Sequence, residues 1–300
     1  MNFRLYPLQV KFIAKERIRF PRAMAANAFR GALGQALRRV CCAPSCPGHS
    51  GRPARECERS VSCAYARLFE PPLEGPHPSG LAELPRPFVL RASHLDGAIV
   101  EAGQAFHLDL HLFETRAVAG QLIDGLKNAF EELASNGIGV ERAKLTISRF
   151  VVPDAPLQLA LDPAAVACSS LRVEFRTPTE LKTDGVIAVR PDFSALFNRA
   201  RDRISTLRAL YGEGPLDIDF AGMAQRAAAL VQLTNCAVRD VRAKRRSSRT
   251  GQTHPLGGFV GEAEYAGELS EFAPWLEAAQ WTGVGRQAVW GKGEIVVVRH

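Results

Sequence analysis

The chain has 300 residues, 46% of them hydrophobic, which is enough to bury a sizeable core and suits two domains better than one. Its 38 Lys and Arg exceed its 31 Asp and Glu for a formal charge of +7. A surplus of that size attracts nucleic acid, an anionic membrane or an acidic protein almost equally, so the location of the charge matters more than its amount. No run of about eighteen uncharged apolar residues occurs, which excludes a membrane-spanning helix.

Met1–Phe20 carries Arg4, Lys11, Lys15, Glu16, Arg17 and Arg19 and lacks the apolar block of a secretory signal. Leu5–Phe20 mixes β-branched, aromatic and charged residues and predicts an opening strand or two. Phe29, Ala32, Leu33, Ala36, Leu37 and Val40 recur at helical spacing and make the apolar stripe of a first helix. From Cys41 to about Gly80 the chain is rich in Pro, Gly and Cys and predicts an insertion with little regular structure. Extended runs follow at Phe88–Arg91 and Ala105–Phe113, where His107, Asp109 and His111 alternate with leucines. A second helix is expected over Val118–Ser135, ended by Gly137 and Gly139, and then a strand near Lys144–Val152. Pro153, Pro156 and Pro163 mark the joint between two domains.

The second half repeats the order. Leu171–Phe175 predicts a strand, and Phe193, Leu196, Phe197, Ala200, Ile204, Leu207 and Tyr211 stripe a helix whose other faces carry Arg199, Arg201, Arg203 and Arg208. A helix over Ala221–Leu233, strands at Ala237–Arg246 and Leu256–Tyr265, a short helix near Leu269–Ala279 and a strand at Glu294–Arg299 complete it. The expected fold is α+β, with two tandem ferredoxin-like (RRM-like, βαββαβ) domains. Residues 1–155 form the first, with a Cys-rich insertion at 41–80, and residues 165–300 the second, with a glycine-rich loop at 283–293.

That loop is the most informative stretch. Gly283, Gly285, Gly291 and Gly293 leave backbone N–H groups able to approach phosphate, Arg286 and Lys292 add charge, and Trp290 can stack on a base. The plain alternative is a glycine-rich turn ahead of a strand. Upstream, a strand over Ala237–Arg246 would put Arg242, Lys244 and Arg246 on one face, either for a polyanion or as a solvated edge. Seven cysteines, five of them between 41 and 63, suit a reducing compartment, so cytoplasm is expected. Cys42, Cys46, Cys57 and Cys63 are a candidate structural zinc set, although no C-x2-C pair occurs and free cysteines are the alternative.

The run Ser247-Ser248-Arg249 … Pro255-Leu256-Gly257-Gly258-Phe259-Val260-Gly261, with the glycine loop after it, resembles the carboxy-terminal domain of the CRISPR-associated endoribonucleases of the RAMP superfamily. Asn27-Ala28-Phe29-Arg30-Gly31-Ala32-Leu33-Gly34 and Cys63-Ala64-Tyr65-Ala66-Arg67-Leu68-Phe69-Glu70-Pro71 resemble its amino-terminal segments. The resemblance implies a cut of CRISPR repeat RNA, a hairpin, by 2′-hydroxyl attack on the adjacent phosphate, with no metal and no cofactor. It also implies retention of the mature guide and association with other effector subunits, with no membrane partner. Many relatives place a histidine on or near the first helix, and this sequence has none there. Arg38 and Arg242, assisted by Arg22, are the expected holders of the scissile phosphate, with Arg30 at the margin of a bare strip made by Gly31 and Gly34. Such an arginine site is a candidate feature of the type IV branch. His254 is the other candidate proton carrier. Lys244, Arg246, Arg249, Gly283, Gly285, Arg286, Trp290 and Lys292 are expected on RNA, and Arg199 and Arg203 are expected along a hairpin stem. The alternative function is a non-catalytic RAMP subunit that binds RNA in an effector complex.

Overall fold

The computed structural model describes residues 1–22, 25–42, 46, 53–72, 83–139, 141–183, 185–242, 244–246 and 253–300, with side chains except at 183, 244–246 and 253–255. Two compact units divide it, one of Arg4–Leu157 with Ala209–Gly214 and one of Met1–Phe3, Gln158–Arg208 and Pro215–His300.

The amino-terminal unit opens with β1 (Asn2–Ala14), in which Leu8, Val10, Phe12 and Ala14 point into the core and Lys11 and Ile13 point out. After β2 (Ile18–Arg19) comes α1 (Ala25–Cys41), whose first N–H is closed by Asp96: Ala25 N donates to its Oδ1 at 2.8 Å. Then follow α2 (Ala64–Phe69), β3 (Phe88–Arg91), β4 (Ile99–Val100), β5 (Ala105–Leu112), α3 (Ala119–Asn136), β6 (Leu145–Val151) and β7 (Leu157–Ala160). The main sheet is antiparallel with the order β3-β5-β1-β6. Phe12, Phe29 and Phe106 form its aromatic core, with ring centroids 5.3–6.4 Å apart.

The carboxy-terminal unit contains β8 (Ser170–Thr179), the small hairpin β9 (Lys182–Thr183) and β10 (Val186–Ile187), α4 (Phe193–Tyr211) and α5 (Phe220–Leu230). It continues through β11 (Val231–Val241), β12 (Lys244–Arg246), β13 (Thr253–Pro255), β14 (Gly258–Gly267), α6 (Ala273–Thr282) and β15 (Ile295–Arg299). Its antiparallel sheet has the order β11-β14-β8-β15. In both units the second and fourth main strands therefore form the ends of the row and the first and third lie between them. Phe193, Phe197, Phe272 and Trp275 pack edge to face or stacked beneath the carboxy-terminal sheet.

Several expectations need correction. The helix expected to reach Leu233 stops at Leu230, because Val231–Val241 pairs along β14 and the ladder overrides the helical pattern. The strand expected over Ala237–Arg246 ends at Val241, and Lys244–Arg246 pairs with Thr253–Pro255 in a separate hairpin. Arg242, Lys244 and Arg246 are thus not one row on one strand. The Cys-rich stretch after Cys41, expected to have little regular structure, holds among its described residues a 3-10 turn (Ala54–Glu56) as well as α2.

Helix α2 redefines the inner face of α1. Val40, expected in the stripe, is exposed, while Arg30 and Gly34 are buried. The Phe69 ring fills the space in front of Gly34, and the Arg30 guanidinium lies 5.5 Å from the centre of the same ring. On the other side, Ala64 of α2 abuts Gly125 of α3. Two side-chain-free notches thus seat one short helix.

A methyl at Gly34 would stand 2.8 Å from Phe69 Cε1, and that ring is held by Tyr65 and Phe88, with centroids at 5.7 and 5.2 Å. Gly34→Ala should cost about 1–3 kcal/mol through overpacking. Gly31, with nothing within 4 Å of a built Cβ, should respond oppositely, Gly31→Ala gaining about 0.4–1 kcal/mol. Denaturant midpoints of the two variants read out the difference in sign.

Candidate nucleic-acid interface

The glycine-rich loop joins α6 to β15. Gly283 ends α6 with φ +74° and donates its N–H to Ala279 O at 2.8 Å. Further on, Val284 N donates to Gly293 O (2.9 Å), Arg286 N to Glu180 O (3.1 Å) and Gly293 N to Pro178 O (3.2 Å). Trp290 N and Gly291 N donate to Gln287 O and Ala288 O within the loop. Gly285 and Gly293 take positive φ, and a Cβ at either would collide with the carbonyl of Glu180 or of Val284. This corrects the open phosphate nest expected from the glycines. Six N–H groups of the loop are already consumed, and the glycines serve close approach to the end of β8.

Side chains complete the lock. The Glu180 carboxylate, 9% exposed, receives Arg286 Nη1 at 2.6 Å on one oxygen and faces Lys292 Nζ at 3.5 Å on the other. Lys292 Nζ also donates to Gln287 Oε1 at 3.1 Å, and only 3% of its side chain is exposed. Burial draws the Lys292 ammonium below the ordinary lysine range against the opposing pull of Glu180. The expectation that Lys292 offers its charge to phosphate is therefore corrected, because that charge is spent on Glu180. Arg286 keeps more than half its side chain in solvent and remains the outward charge of the loop, while Trp290 is half-buried. Glu180 escaped the sequence reading. Its only local signal is a carboxylate directly after the strand end Thr177-Pro178-Thr179.

The other expected residues divide between the units. In the carboxy-terminal unit Arg242 is 95% exposed, with Asp240 at 3.7 Å. The side chains of Lys244, Arg246 and His254, and Arg249 altogether, lie outside the described residues. In the amino-terminal unit Arg22 is exposed, and Arg38 is half-buried with its guanidinium 5.4 Å from the centre of the Tyr65 ring. The arginines of α4 do not form the outward row expected of them. Arg201 is buried and donates to Phe220 O and Asp202, Arg203 Nε donates to Thr282 O at 2.9 Å, and Arg208 donates to Asn2 O and Pro215 O. They close carbonyls at chain and helix ends, and of the four only Arg199 is exposed.

The cysteines form a sulfur cluster. Hydrogen bonds, chiefly from Cys41 and also from the backbone N–H groups of Ala66 and Tyr65, pull the Cys63 thiol down to about 6. Burial first, then neighbouring sulfurs, pushes Cys42 up to about 11. Among the described residues no three His, Cys, Asp or Glu side chains are grouped to hold a metal ion. Also among the described residues, no helix is long and apolar enough to cross a membrane.

Residues 3–159 match a family model described as an N-terminal domain (AF_1859_N), and residues 173–295 match that of the CRISPR-associated endoribonuclease Cas6. Among solved structures, a Cas6 (TTHB231) product complex is 16% identical, with 98% of this chain and 100% of that chain covered at a TM-score of 0.58. Thermus thermophilus Cas6 (TTHB231) is also 16% identical, with 98% of both chains covered and a TM-score of 0.56. A partial Cas6-RT-Cas1--Cas2 complex is 10% identical, with 99% of this chain and 46% of that chain covered at 0.54. A search of curated protein sequences finds no match. The structural likeness is one of fold, extending over both units. The AF_1859_N model spans more than half of the chain, so the chain belongs to the proteins that carry that N-terminal domain, and the domain that follows it matches the CRISPR-associated endoribonuclease Cas6.

Removing the charge of Glu180 should strand Lys292 inside the loop, and Glu180→Gln should cost roughly 3 kcal/mol. Adding Lys292→Met should recover most of that loss. A strictly additive double variant in urea unfolding would show that the pair is not coupled.

Proposed function

We propose that this protein cuts CRISPR precursor RNA within the repeat by attack of the 2′-oxygen on the neighbouring phosphate, without a metal ion, and keeps the processed guide. The observation that carries the proposal is the Cas6 endoribonuclease match over residues 173–295. Both units are taken as ferredoxin-like domains, a reading supported by their shared strand order.

The reaction needs the 2′-oxygen aligned, its proton removed, the five-coordinate phosphate stabilised and the leaving oxygen protonated. Helix α1 (Ala25–Cys41) has no histidine, so its contribution is cationic. Arg38 in its last turn and the exposed Arg242 just beyond β11 are assigned to the scissile phosphate, and Arg22 ahead of α1 assists. Guanidinium stays protonated and its fork matches two phosphate oxygens, so these residues stabilise charge and orient the attack without accepting the proton. Arg286 and Trp290 present charge and a stacking surface from the glycine loop, and Arg199 is a separate backbone contact for a hairpin stem. An arginine-based site of this kind fits the branch that includes type IV systems. Other subunits of a CRISPR effector complex are the expected protein partners.

The missing histidine in α1 favours one competing reading, a RAMP subunit that binds RNA without cutting it. Incubating purified protein with a repeat RNA in EDTA separates the two, since only the enzyme yields a shorter species ending in a cyclic phosphate. The rate should be equal in EDTA and in magnesium once RNA folding is controlled, and strict dependence on a divalent ion would sink the mechanism. Arg38→Ala and Arg242→Ala should each slow cleavage by a factor of roughly ten or more, with RNA binding reduced less. If both variants cut at the parental rate, His254 becomes the residue to test. With no side chain taking the proton, the logarithm of the rate should rise with a slope of about one between roughly pH 6 and 8. A plateau near the histidine range would argue for His254 instead. Arg199→Ala should flatten the salt dependence of binding by about 0.7–0.9 of a log–log unit and leave the rate at saturation unchanged.

A further inference from the structure

The amino-terminal sheet β3-β5-β1-β6 holds its aromatic core on one face, and polar side chains alternate onto the other. Across that outer face His107 of β5, Lys11 of β1 and Arg149 of β6 stand directly opposite one another in the strand register. His94, in the turn Ser93–Leu95 after β3, stacks its ring on His107, with centroids 4.3 Å apart and planes 17° from parallel. Hydrogen bonds hold the pair: His94 Nε2 donates to His107 O at 3.1 Å, and Gln9 Nε2 donates at 2.8 Å to Asp109 Oδ1, whose other oxygen lies 3.7 Å from His107 Nε2. His94 is exposed, and 43% of the His107 side chain is in solvent. Lys11 and Arg149 are exposed too, and among the described residues neither is held in an ion pair. A solvated sheet face accounts for the two cations. It does not account for two imidazoles from separate segments, stacked and fixed in the open.

We propose that this row is a second RNA subsite, a stacking platform for an unpaired nucleotide, formed by none of the residues assigned to the scissile phosphate. It rests on the reading of the chain as an RNA-cutting enzyme and adds the class of RNA segment that this face takes. A nucleobase lies on the exposed imidazole pair, which is already flat and fixed, and the phosphates beside it meet Lys11 and Arg149. Two strand spacings, about 10 Å, separate His107 from Arg149, so rings and far cation serve neighbouring groups of one short strand. Paired RNA fits poorly, because its bases are stacked on one another and are not free to lie on a side chain. Every base has a π-face, so the platform tells unpaired from paired RNA and not one repeat from another. An acidic peptide would use the cations and leave the rings idle.

The test titrates the full-length protein with a labelled oligoadenylate of about ten nucleotides and with a blunt RNA hairpin. The double variant His94→Ala, His107→Ala should bind the oligoadenylate roughly fivefold or more weakly and the hairpin as the parent does, with circular dichroism confirming the fold. His94→Phe, which keeps a flat ring, should stay within about twofold of the parent on the oligoadenylate. Lys11→Ala and Arg149→Ala should each flatten the salt dependence of oligoadenylate binding by about 0.7 of a log–log unit. The platform is overturned if the parent does not bind the oligoadenylate, if the double variant loses both RNAs equally, or if His94→Phe is as weak as the double variant. Loss with the cation variants alone also overturns it and leaves a plain cationic face. Cleavage of repeat RNA by the parent in EDTA reports on the functional reading separately. If the parent cuts and the double histidine variant binds oligoadenylate normally, only the platform falls; a parent that neither binds nor cuts RNA removes both.

Discussion

The carboxylate of Glu180 is the constraint from which the glycine-rich loop takes its shape. A buried anion needs cations and donors around it, and two cations come from a loop more than a hundred residues later in the chain. Meeting that need pulls Arg286 N–H onto the Glu180 carbonyl, which leaves no room for a side chain at Gly285. It also buries Lys292, whose charge then balances the carboxylate. Of the two cations only the Arg286 guanidinium faces solvent, while Trp290 is half-buried. The loop is therefore a rigid mount for Arg286 and Trp290, not a flexible phosphate cradle. Rigidity suits a reaction in which the phosphate must be aligned before attack.

A similar logic governs the amino-terminal unit. Gly34 of α1 and Gly125 of α3 leave two gaps, and the short helix α2 settles into them through Phe69 and Ala64. Burying Arg30 under Phe69 removes it from the surface a polyanion would meet and leaves Gly31 open on the same helix. Arg38 stands on the last turn, its guanidinium held against Tyr65. Cation and ring together reduce the conformational freedom of that long side chain.

The order of strands and helices was legible because period-two and period-3.6 patterns are local. The boundaries that failed were set by distant residues. Leu230-Val231-Gln232-Leu233 continues a helical apolar pattern, yet the ladder with β14 decides that Val231 begins a strand. The end of β11 at Val241 was likewise invisible, since nothing in Arg242, Lys244 and Arg246 says where a strand leaves its sheet. Glycine at position 34 announced its own cost to a helix, but its partner Phe69 could be known only from the fold. Lys292 looked like a surface cation for the same reason: its counter-ion is far away in sequence.

The arginines show why net charge was a poor guide to the site. Arg201, Arg203 and Arg208 close carbonyls, Arg30 covers a ring, and Arg286 shares a carboxylate. A guanidinium is well suited to such duties because it carries five donors and is desolvated more cheaply than an ammonium. Cations used this way contribute to the long-range field but not to a phosphate contact at close quarters. Many other Lys and Arg residues are exposed, Arg22, Arg199 and Arg242 among them, with Arg38 half in solvent. Affinity for a polyanion depends on the phosphates actually neutralised, so where the exposed cations lie outweighs the formal surplus of the chain. The formal charge of +7 therefore says little by itself about affinity for a polyanion.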